Sequence, residues 1–134
     1  MSRAYVRTTV RNWITAMPKV VPFYETVNKS EDILPADQSG WYTVEFNAEN
    51  TSTTTYCGDK SETGVIDFVF STLPGEGDSN LIAGAEQTID NFMKSVDPTK
   101  KLTLIKAMHP EEFTGGDGSK YYMIIIGVEY EYNF

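Results

Sequence analysis

The sequence predicts an α+β fold: a mostly antiparallel sheet of four or more strands, two helices packed on one face, and a long polar arm or hairpin. Three observations predict it. Residues 121–134 alternate without a break, with Tyr122, Ile124, Ile126, Val128, Tyr130, Tyr132 and Phe134 on one face. Residues 64–96 read as a strand, a proline-glycine break and an amphipathic helix. The N-terminal segment 2–17 carries an apolar stripe at helical spacing. A chain of 134 residues is long enough for one domain with its own core, here 1–134.

Each element follows from its own pattern. Residues 2–17 form the first predicted helix. Val6, Val10, Trp13, Ile14 and Met17 make its apolar stripe, Ser2 is a candidate cap, and Pro18 ends it. Arg3, Arg7 and Arg11 recur at every fourth position and share one face. The plain reading of that face is solvated; the sharper one is a basic stripe that docks on an acidic neighbour. Residues 20–25 are apolar but contain Pro22, which restricts them to an edge strand or an extended lead-in. Residues 28–40 read as loop.

Residues 41–47 alternate, with Tyr42, Val44 and Phe46 opposite Trp41, Thr43 and Glu45. The polar, threonine-rich residues 48–63 are either a disordered loop or a hairpin arm. In the next strand Ile66, Phe68 and Phe70 oppose Val65, Asp67, Val69 and Ser71. A helix then starts near Asp78 or Ser79 and buries Leu81, Ala85, Ile89, Phe92, Met93 and Val96, until Asp97-Pro98 stops it. Residues 102–107 are a further strand, and Pro110 with Gly115-Gly116-Asp117-Gly118 marks a long turn.

Assembled, these pieces put one sheet face under the helices. The other face gathers Glu45, Asp67, Glu129 and Glu131 with Val69 and Ile125. Such a half-acidic, half-apolar surface points to an assembly contact or a channel lining. Charge is also split along the chain. The segment 1–20 holds four basic side chains and no acid, a sum of +4; the rest holds 7 basic and 19 acidic, a sum of −12, which together give −8. The acidic body argues against tight binding to a phosphate backbone. A basic helix on an acidic body suits head-to-tail contact between copies.

Enzymatic chemistry finds little footing. There is one histidine, His109, and one cysteine, Cys57, far apart in sequence, whereas nucleophilic catalysis needs a base beside the nucleophile. A single cysteine also excludes an internal disulfide and a multi-cysteine metal site. Pro74-Gly75-Glu76-Gly77-Asp78 opens a helix as phosphate cradles do, but it lacks the lysine and Ser/Thr of a P-loop and carries two acids. Glu111-Glu112 with Gly115–Gly118 lacks the ligand spacing of an EF-hand. No catalytic, metal-binding or cofactor-binding residue is therefore expected, and no cofactor. No apolar run approaches the ~20 residues of a membrane span, no secretory leader is expected, and synthesis in a cytoplasm fits the lone cysteine.

The order of elements resembles the tail terminator proteins of tailed bacteriophages, also called minor tail or tail completion proteins, of the lambda type. The resemblance rests on the N-terminal helix, on Val21-Pro22-Phe23-Tyr24-Glu25-Thr26-Val27-Asn28, and on Gly40-Trp41-Tyr42-Thr43-Val44-Glu45-Phe46. It continues through a variable polar arm to Glu62-Thr63-Gly64-Val65-Ile66 and then Leu73-Pro74-Gly75-Glu76-Gly77, which leads into the long helix. It covers most of the chain, although the arm and the Gly115–Gly118 turn match no fixed feature.

The resemblance implies a structural virion protein in the tail or neck, made in the host cytoplasm, and not an enzyme. Such proteins form a homo-oligomeric ring, usually of six subunits, on the end of the tail tube. The ring ends tube polymerisation and joins the tail to the head or neck. Its implied partners are copies of itself, the tail tube protein and a head or neck connector protein. DNA passes without specific binding, and no membrane is involved. On this reading Arg3, Arg7, Arg11, Thr53, Thr55 and Tyr56 are subunit-interface candidates. Glu45, Asp67, Glu129 and Glu131 are candidates for a lumen or an acidic sheet face. The alternatives are another head–tail connector or tail tube subunit and, more distantly, a small ligand-binding or enzymatic α+β domain.

Overall fold

A computed structural model of the chain describes residues 4–18, 21, 23, 41–53, 60–72, 79–108, 110–113 and 122–133. The elements run α1 (Ala4–Ala16), β1 (Trp41–Thr53), β2 (Lys60–Thr72), α2 (Ser79–Met93), β3 (Leu102–Ala107), β4 (Glu111–Phe113) and β5 (Tyr122–Asn133). The fold is α+β. The strands lie in the order β1-β2-β5-β3, every pair antiparallel, and β4 pairs with β5 as well. Because β2 runs along β5 from Ser61↔Asn133 to Thr72↔Tyr122, β3 and β4 share the other edge of β5 in succession.

Strand alternation decides the two faces. Register pairs Phe46↔Ile66↔Val128, Val44↔Phe68↔Ile126 and Tyr42↔Phe70↔Ile124, so three strands contribute matching apolar rows to one face. Both helices cover that face. Val6, Val10 and Ile14 of α1 and Leu81, Ala85, Ile89 and Phe92 of α2 join it in a single core. Each large side chain buried there contributes roughly 1.5–3 kcal/mol. Aromatic contacts tie the layers together: the Phe68 ring lies 4.8 Å from Phe92 and 6.0 Å from Tyr42, and Trp13 meets Phe92 edge-on at 5.8 Å. Burial pushes the Tyr42 phenol up to about 12, so it is neutral at any ordinary pH.

Several elements differ in extent from the sequence reading. The β1/β2 ladder continues past residue 47, with a bulge between Ala48 and Asn50, as far as Thr53↔Lys60. Residues 54–59, the tip of the expected arm, lie outside the described residues, as does the Gly115–Gly118 turn. Phe23 makes an isolated parallel bridge to Tyr42, and its ring lies 5.2 Å from the Tyr42 ring, which places this point beside the β1 edge.

Val96, expected on the buried stripe of α2, is 75% exposed. The helix stops at Met93, and its last turn tightens through Lys94 N–H to Asn91 C=O and Ser95 N–H to Phe92 C=O. Val96 therefore lies beyond the helical phase that would have buried it.

Asp97 closes the connection from α2 to β3. It is 4% exposed and accepts four hydrogen bonds: from Tyr5 O–H (2.8 Å), Thr99 N–H (3.0 Å), Thr99 O–H (2.8 Å) and Leu102 N–H (3.1 Å). Tyr5 also stacks on Tyr132, centroids 5.1 Å apart, so this carboxylate joins α1, the α2–β3 turn and β5. Lys100 in the same turn has φ 58°, a left-handed conformation that costs a non-glycine residue roughly 1 kcal/mol. A second buried carboxylate, Glu62, accepts a hydrogen bond from Tyr130 O–H at 2.8 Å on the helix-covered side of the sheet.

Candidate functional surface

The sheet face turned away from the helices carries the chemistry that the core does not use. Across its strands run three successive rows. One is Thr43↔Val69↔Ile125↔Glu111; the next is Glu45↔Asp67↔Gly127; the third is Asn47↔Val65↔Glu129↔Lys106. Thr43, Val69 and Ile125 are half-buried, which leaves a partly wetted apolar strip beside the acids. Glu45 and Glu111 are exposed, and Asp67, Glu129 and Glu131 are half-buried.

All four acids expected on this face are therefore on it. Glu45 and Asp67 are direct cross-strand partners, and Glu129 lies one row away. Glu131 sits further along, paired with Thr63 and Thr103. Burial raises the Asp67 carboxyl above its ordinary value; a hydrogen bond from Asn47 Nδ2 at 2.7 Å opposes that shift, and the charge of Glu111 adds to it. Glu111 thus lies close enough to disfavour the Asp67 charge. Lys106 offsets part of this, with Nζ 3.9 Å from Glu129 Oε2.

Lys106 reaches this face because of a bulge. The β3 register shifts between Leu104 and Lys106, so Ile105 is an extra residue and the alternation reverses after it. Without the bulge, Lys106 would follow Leu102 and Leu104 toward the core.

Gly127 lets the middle row close up. A Cβ there would lie 2.8 Å from Val65 Cγ1, 3.1 Å from Asp67 Oδ1 and 3.2 Å from Met108 Sδ. Gly127→Ala is expected to destabilise the protein by about 1–3 kcal/mol through overpacking. Urea unfolding checks this; an unchanged midpoint would show that the row has slack.

The basic residues of α1 lie on the other side of the sheet. Arg7 Cζ is 5.0 Å and Arg11 Cζ 5.7 Å from the centroid of the Phe46 ring, and both arginines are half-buried. A cation over an aromatic face is stabilised by roughly 0.5–1 kcal/mol at such sites. The stripe expected to be solvated or docked on a neighbour thus also packs on its own subunit. Thr53 ends the β1 ladder opposite Lys60, while Arg3, Thr55 and Tyr56 lie outside the described residues.

Sequence reasoning missed Glu111, Lys106, Glu62 and the Asp97 clasp. A signal existed only for Glu62. It lies in the phase of Ile66, Phe68 and Phe70, so extending the strand back to it would have placed it on the core face.

Among the described residues no group of three or more His, Cys, Asp or Glu is arranged to hold a metal ion, and no helix is long and apolar enough to cross a membrane. No protein-family model matches the chain, and no curated protein is similar to it. A solved structure of a protein that carries no functional name superposes with a TM-score of 0.62, covering 100% of this chain and 97% of its own, at 16% sequence identity. At that identity the likeness is one of fold alone.

Proposed function

We propose that this chain is a structural subunit of the tail-terminator kind. Copies close into a ring, usually of six, on the end of a phage tail tube. The ring stops tube growth and joins the tail to the head or neck. One observation carries this reading: among the described residues, helices cover one sheet face, and the other presents acids around half-buried apolar residues. That composition suits contact with a protein neighbour, and where it lines a channel it repels phosphate so that DNA slides without adhering. The charge split between the segment 1–20 and the remainder adds support, because a ring requires two different, complementary surfaces on every subunit.

Electron microscopy of particles assembled without the protein tests the role. Overlong tails, which then fail to join heads, are expected. Normal-length tails joined to heads would contradict it, headless tails of normal length would point instead to a connector, and absence of tubes would point to a tube subunit.

A further inference from the structure

We infer that the sheet face around Asp67 receives the turn between α2 and β3 from a second copy of this chain. The inference rests on the ring reading above and names its contact. Its basis is a turn that presents an apolar side chain between lysines. Val96 is 75% exposed, and Lys94 and Lys100 on either side of it in sequence are exposed as well. Among the described residues neither of these lysines makes an ion pair. The other two lysines of residues 94–108 are engaged: Lys101 Nζ lies 5.8 Å from the centroid of the Tyr5 ring, and Lys106 reaches Glu129. The single acid of that stretch, Asp97, is buried and accepts hydrogen bonds from Tyr5, Thr99 and Leu102, so no carboxylate stands at the surface of the turn. Those bonds also hold the turn in one shape, which keeps the ordering cost of docking small.

The acceptor complements this turn. Thr43, Val69 and Ile125 supply half-buried apolar surface for Val96, and Glu45, Asp67 and Glu111 supply acids for Lys94 and Lys100. Met108, 37% exposed, borders the same face beside Gly127. A chain of net charge −8 with two exposed lysines at a turn is a poor match for a phosphate backbone, so the partner of the turn is an acidic protein surface. Within one subunit the turn cannot cover this face. β3 begins at Leu102, opposite Tyr132, whereas Asp67 and Glu111 stand opposite Gly127 and Ile125. Those positions are five and seven residues along β5, roughly 17 and 23 Å away at strand spacing. Between copies the two surfaces can meet, and the contact is heterologous: the α2–β3 end of one subunit faces the open sheet of the next. Repetition of such a contact closes a ring when the rotation between copies allows it.

Charge exchange in the full-length protein tests the pairing, with assembly followed by light scattering and folding by circular dichroism. Lys94→Glu with Lys100→Glu alters two exposed side chains and is expected to raise the concentration at half-assembly about tenfold or more. Lys94→Gln with Lys100→Gln, the milder pair, and Val96→Ser are each expected to move it in the same direction. Adding Glu45→Lys and Glu111→Lys to the glutamate variant should restore much of the loss. Assembly that is indifferent to the lysine and valine variants, or a loss that reversal of the two acids does not rescue, overturns this contact, leaves the ring standing and assigns the acidic face to another occupant. A wild-type chain that never self-associates removes the ring reading and this contact with it.

Discussion

Phe68→Ala should destabilise the subunit by about 3–5 kcal/mol, a large share of the roughly 5–15 kcal/mol that holds a typical domain together. Phe68 is fully buried at the centre of the sheet, opposite Val44 on one side and Ile126 on the other. Its ring also meets Phe92 of α2 at 4.8 Å and Phe70 at 6.4 Å. Truncation removes apolar burial and leaves a cavity beneath α2 that rigid strands cannot collapse to fill. Chemical denaturation measures the loss. A change below about 1 kcal/mol would mean that α2 is not seated on this part of the sheet.

Asp97→Ala should cost on the order of 2–4 kcal/mol, because it leaves the buried Leu102 N–H without its acceptor and removes the carboxylate that ties Thr99 N–H and the Tyr5 hydroxyl to the turn. The same site carries a pH signature. Burial alone would raise the Asp97 carboxyl, but the hydrogen bonds from Tyr5, Thr99 and Leu102 outweigh it and hold the group at about 2 against an ordinary 3.8. The folded value is depressed, so the stabilisation is complete above the unfolded value and is lost as pH falls from about 4 toward 2. Thermal melts across that window should show a decline in the wild type that is shallower in Asp97→Asn. Parallel curves would remove Asp97 as its source.

The parts of this fold that were legible in the sequence are those written in local periodicity. Strand β5 alternates without interruption, and each of its even-numbered residues from Ile124 to Tyr132 is buried as that pattern requires. The bounds of β3 and the apolar stripe of α1 followed in the same way.

What was not legible depends on partners distant in sequence. The short strand β4 carries no pattern of its own and is strand because β5 offers it an edge. The end of α2 is drawn together with the turn that Asp97 organises through Tyr5, 92 residues away, so helical periodicity alone ran on to Val96. Membership of the acidic face was legible for Glu45, Asp67, Glu129 and Glu131, whose phase is fixed by neighbouring apolar residues. It was not legible for Lys106, whose phase depends on the bulge at Ile105, or for Glu111, which a broken edge strand delivers. Packing of Arg7 and Arg11 on Phe46 likewise depends on where α1 crosses the sheet, which helical spacing does not specify.

Native mass measurement over a range of protein concentration tests most directly the proposal that copies of this chain assemble into a closed ring. One dominant closed stoichiometry is expected, of six copies, and it should loosen as salt screens the acidic and basic surfaces. A strict monomer at high concentration and low salt would contradict it.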